Sequence, residues 1–91
     1  MPQIFKVGSY TVFFWSNEGD PLEPIHVHVA EKAGANATKI WITSTGRCSL
    51  CNNNSHIPDR ALWDIMRVIE AQSGEIIAKW EAFFGSVTYY C

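Results

Sequence analysis

No run of about 18 apolar residues occurs in the chain, so the sequence offers no helix that would span a membrane. Strong charge of either sign is also missing. The formal net charge is −2 over 91 residues, so the chain as a whole is not a phosphate-binding polycation. A nucleic-acid role would need a local basic patch. The opening MPQIFKVGSY lacks the apolar segment of an export signal, which leads us to expect a cytoplasmic location. Cysteine is scarce and odd in number: Cys48, Cys51 and Cys91. Without an export signal, three cysteines argue for reduced thiols rather than a disulfide framework. No internal repeat, low-complexity tract or interdomain linker appears, so residues 1–91 are expected to form one domain. Apolar material is plentiful. A chain that is 47% hydrophobic, 13% aromatic and only 18% charged can build a core, which excludes wholesale disorder.

The first half alternates in the manner of strands. QIFKV and YTVFFWS are rich in β-branched and aromatic residues and flank Gly8-Ser9, which predicts a hairpin. Residues 17–24, NEGDPLEP, carry turn-forming types and predict a loop. Strands are expected at Ile25–Ala30, at Thr38–Thr43 after a turn around Gly34, and at Arg47–Cys51. The period then changes. Pro58 and Asp59 suit a helix start, and Leu62, Ile65, Ile69, Ile76, Trp80 and Phe83 form one apolar stripe. An unbroken helix over 58–84 would be roughly 40 Å long, too long for so small a domain, so a break is expected near Ser73-Gly74. Gly85 is the expected stop, and SVTYYC a candidate final edge strand. The fold class is therefore α+β, an antiparallel sheet of about five strands with two C-terminal helices, or one kinked helix, on one face.

Residues 23–31, EPIHVHVAE, hold the sharpest functional signal. Alternation on a strand sends Ile25, Val27 and Val29 to one face and His26, His28 and Ala30 to the other. If the next strand pairs with it, Lys39, Trp41 and Thr43 join the histidines on a solvent face opposite the helices. Asn17, Glu18, Asp20 and Glu23 add oxygen groups from the preceding loop. Four readings suit this patch. Two imidazoles can act as acid and base, as in RNA cleavage through the 2′-hydroxyl, with Lys39 on the phosphate and Trp41 stacked on a base. A His-x-His pair can ligate a metal with Glu18, Asp20 or Glu23. Trp41 and the histidines can form a protein interface. Finally, the histidines can simply brace the acidic loop through their ring N–H groups.

CSLC places Cys48 and Cys51 at C-x-x-C spacing with His56 nearby, half of a zinc site. Strand alternation would send the two thiols to opposite faces, no second C-x-x-C exists, and the βαβ setting of a redox motif is absent. The two are expected to be small core or edge residues. Asn52–Asn54 are expected to satisfy loop backbone groups or to accept left-handed conformations, and Ser55 to begin the turn into the helix.

Taken together, FFWSNEGDPLEPIHVHV, ATKIWI, NNNSHIP and the closing KWEAFFG and YYC resemble the small bacterial and phage family catalogued as domain of unknown function 4160. The likeness runs nearly end to end. It is most specific at Ser16–Glu18, at Pro24 with HVHV, and at Trp80–Gly85. The resemblance implies a cytoplasmic α+β domain whose gene often neighbours that of another small protein, in a toxin–antitoxin-like pair. It places His26 and His28 at the family's hallmark positions. The expected function is that of a small component of such a two-gene module, acting through protein or nucleic-acid contact at the His-x-His face. On this reading His26, His28 and Lys39 are the candidate catalytic residues of a ribonuclease-like reaction, and Trp41, Asn17, Glu18 and Glu23 the candidate binding residues. The alternative is a non-enzymatic protein-binding or oligomeric adaptor module in which the histidines brace a loop. No cofactor or metal is assigned. The expected partners are a protein encoded nearby, RNA, or further copies of the chain, and no membrane.

Overall fold

The computed structural model describes residues 3–15, 23–32 and 36–91. The turn expected around Gly34, and Asn17, Glu18 and Asp20 of the loop, lie outside these residues. Five strands come first: β1 (Gln3–Val7), β2 (Tyr10–Phe13), β3 (His26–Ala30), β4 (Thr38–Ile42) and β5 (Cys48–Asn52). Two helices follow, α1 (Asp59–Ala71) and α2 (Ser73–Phe84). The strands form one antiparallel sheet in sequence order, β1-β2-β3-β4-β5. This is the α+β architecture expected from a strand-rich half followed by a helix-rich half.

The β1–β2 hairpin closes through Gly8-Ser9, with Val7 opposite Tyr10 and Gly8 at a φ of 60°. A two-residue hairpin loop needs such a left-handed first position, which glycine reaches without a Cβ clash. Register then fixes the faces. Val27 pairs with Ile40 and Val29 with Thr38 in β3–β4, and Val12 with Val29 in β2–β3. The side chains of Val12, Val27, Val29 and Ile40 join Ile25, Ile42, Ile57, Leu62, Ile65, Ile69, Ile76 and Trp80 in the main core, between sheet and helices. The opposite pleat carries Phe13–His28–Lys39 across three strands and His26 beside Trp41. The two outer pairings are irregular, β1–β2 shifting register between Gln3 and Phe5. The β4–β5 register shifts between Lys39 and Ile40, so that Leu50 lies opposite Ile40 and Asn52 opposite Lys39.

The helical stripe breaks at Gln72, one residue before the expected Ser73-Gly74, with φ −104° and ψ 14°. Its N–H still reaches Val68 O, and Ile76 N–H reaches Gln72 O, so the backbone stays satisfied through the break. Gly85 ends α2 at a φ of 84°, its N–H on Glu81 O. One stripe member departs from expectation: Phe83 is 50% exposed, although it touches Phe14 and Phe84. The tail after Gly85 is not a strand. It is tied by two backbone bonds, from Ile25 N–H to Thr88 O (2.8 Å) and from Ser44 N–H to Cys91 O (3.0 Å). These are enough to lay Tyr90 on the outer pleat.

Candidate functional site

The second face of the sheet is where the histidines lie, and it is not the open surface expected from alternation. His26 is fully buried. Its Nδ1 donates to Pro24 O at 2.9 Å, across two residues of the incoming chain. Its ring packs edge-on to His28 (5.0 Å between centroids), Trp41 (5.6 Å) and Trp80 (5.4 Å). The contact with Trp80 corrects the expectation that the helices and the histidines would not meet. The β2–β3 ladder stops at Phe13–His28, two residues short of His26, and at that level the indole of α2 reaches the imidazole. Valines and histidines therefore do face opposite ways, as the period of two requires, yet β3 is covered on both sides. His28 is half-buried, stacked at 5.6 Å on Phe13 and 6.1 Å from Trp15. Phe13 forms a small second cluster with Ala30, Ala37 and Trp15.

Lys39 and Trp41 stand next to this cluster as register demands. The Lys39 ammonium lies 3.3 Å from Glu23 Oε1 and 4.4 Å above the Trp41 ring. A cation held by a carboxylate and an indole face is already satisfied on two sides. Trp41 in turn stacks on Tyr90, 4.7 Å apart and 10° from parallel, and Tyr90 is 64% exposed. The structure thus brings together His26, His28, Lys39, Trp41 and Glu23. Asn17 and Glu18 fall outside the described residues.

The C-x-x-C pair separates as alternation predicts. Cys48 turns toward α1 while Cys51 is exposed. Burial, then the negative charge of Glu70, pushes the Cys48 thiol up to about 12, so at neutral pH it is protonated and unreactive. Glu70 also accepts the Cys48 N–H at 3.1 Å and lies 3.9 Å from Arg47 Nε, which ties α1 to the sheet. Among the described residues no group of three His, Cys, Asp or Glu is placed to hold a metal ion.

One cluster was legible in the sequence only in part. In NNNSHIP, Asn53 Oδ1 accepts from the Thr38 hydroxyl (2.8 Å) and from Ile57 N–H (3.0 Å), and its Nδ2 donates to Ile57 O (3.0 Å). Ser55 Oγ accepts Thr38 N–H (3.0 Å) and donates to Asn36 O (2.8 Å). Ser55 thus sits in the turn ahead of the helix, as expected, and also clips that turn to β4, while Pro58 holds the cap position. This clip holds His56 at a φ of 55°, a strained value for a residue with a Cβ. Three polar residues in a row beside a strand end were the available signal, because such residues replace backbone partners where a chain turns.

What this face can do chemically is limited by access. Acid–base work requires both rings within reach of a substrate, and His26 offers no exposed surface. What remains accessible is the Trp41–Tyr90 stack with Lys39 and Glu23 beside it. No curated protein and no solved structure matches the chain. The model of the domain of unknown function DUF4160 does match, over residues 9–81, and this span takes in the whole histidine strand and most of both helices: the chain belongs to the DUF4160 family.

Proposed function

We propose that the chain is a non-enzymatic recognition module, the protein-binding member of a bacterial or phage two-gene pair acting in the cytoplasm. Its contact surface centres on Trp41 and Tyr90, with Glu23 and Lys39 at the side. The observation that carries this reading is the burial of His26, with its Nδ1 committed to the Pro24 carbonyl. A histidine so placed supports the backbone that leads into β3 and cannot exchange protons with a substrate. Lys39 supports the same reading, since its charge is already held by Glu23 and the Trp41 face. Stacked aromatic rings with one charge of each sign nearby are well suited to a protein interface, where Trp and Tyr supply most of the contact energy.

The test is co-purification of the chain with the product of the neighbouring gene. Trp41→Ala is expected to weaken that association by about 30-fold or more, as expected of a hot-spot residue, while His28→Ala changes it little. A chain that binds no protein, or one that cleaves RNA and loses that activity in His28→Ala, contradicts the reading.

A further inference from the structure

Helix α1 presents one stripe that the rest of the fold leaves open. Asp59, Trp63 and Arg67 follow one another at four-residue steps, each about 6 Å further along the axis on one side of the helix. All three are exposed, Trp63 by 70%. Beside them Leu50 of β5, 41% exposed, joins Leu62 and Met66 in an open groove of about 420 Å³. An exposed indole bordering an apolar groove, with Met and Arg alongside, has the composition of an interface centre and not of a solvated helix face. Asp59 and Arg67 have no ion-pair partner among the described residues. They are about 12 Å apart along the axis, too far to pair with each other.

We propose that this stripe is a self-association surface whose occupant is a second copy of the chain, α1 packed antiparallel on α1 about a two-fold axis passing at Trp63. The order of charges argues for that occupant. Asp59 and Arg67 are equidistant from Trp63 and opposite in sign. A two-fold axis through Trp63 sets Asp59 against Arg67 of the second copy and, by the same operation, Arg67 against Asp59 of the second copy. Arg60 then falls opposite Met66, so no like charges meet. A parallel arrangement would instead set Asp59 against Asp59. At the axis the two indoles meet, each beside the groove of the other copy. This surface lies on the helical layer, away from Trp41 and Tyr90, and goes beyond the partner-binding reading above.

Sedimentation equilibrium of the full chain, from micromolar to millimolar concentration, tests the proposal. The wild type is expected to dimerise reversibly. Trp63→Ser weakens the dimer by about 30-fold or more. Asp59→Arg and Arg67→Asp each weaken it by about tenfold, because symmetry turns two attractions into two repulsions. The double variant Asp59→Arg/Arg67→Asp restores both pairs and returns the dimer to within about threefold of wild type. All three substituted positions are exposed, so thermal melts of the monomers should coincide. A wild type that stays monomeric over the whole range overturns the proposal. So does a double variant no better than the single ones.

Discussion

Trp80→Ala is expected to destabilise the domain by about 3–5 kcal/mol, the usual cost of removing a large buried aromatic side chain. Trp80 has no exposed surface and sits where three parts of the fold meet. Its ring lies 5.4 Å from Phe14 after β2, 4.5 Å from Phe84 at the end of α2, and 5.4 Å from His26 at the start of β3. Truncation to alanine empties that junction, and neither the sheet nor the helix can move in to fill it without losing register. A domain of this size has roughly 5–14 kcal/mol in total, so the variant should melt about 15–30 °C lower. Trp80→Phe should cost much less. The indole Nε1 is buried without an acceptor among the described residues, so phenylalanine loses area but no hydrogen bond. Thermal unfolding of the two variants checks both statements. Equal losses would mean that the indole nitrogen matters more than the structure indicates.

His26→Ala is the second large effect, expected at about 2–4 kcal/mol. Two losses combine. The ring leaves a void between His28, Trp41 and Trp80, and the Pro24 carbonyl loses its donor. His26→Asn separates them, because the asparagine side-chain amide can stand where Nδ1 stands while the rest of the ring is gone. It should recover about 1 kcal/mol, the net value of a typical hydrogen bond. Urea unfolding with an unchanged slope would show that the effect lies in native-state stability. A purely catalytic histidine behaves differently: its removal abolishes activity and leaves the melting temperature nearly where it was. The two roles for His26 therefore predict opposite readouts from one variant.

Alternation placed Val27 and Val29 toward the helices and the histidines away from them, and register agrees. The period of two is a consequence of strand geometry and needs no tertiary information. The degree of cover on the second face does need it. His26 is buried because the β2 ladder ends early and an indole from a helix 54 residues later reaches past it, a contact that no local pattern encodes. A hint was present in TVFF, where three consecutive apolar residues interrupt the alternation of a half-exposed strand. Continuous apolar runs mark strands covered on both faces. The helix break was legible to within one residue, because length set it: a continuous helix would outrun the sheet. The Asn53–Ser55 clip was only partly legible. Residue type showed that these side chains would bond to backbone, but not that Thr38 at the facing end of β4 would be the partner.

The most direct test of the account is the protonation and exchange of the His26 ring at neutral pH, read by long-range proton–nitrogen correlation on labelled protein. The buried brace predicts a proton on Nδ1, held by the Pro24 carbonyl and exchanging slowly with solvent. A ring protonated only on Nε2, or one whose N–H exchanges as fast as that of a surface histidine, would contradict the account and return His26 to the candidates for chemistry.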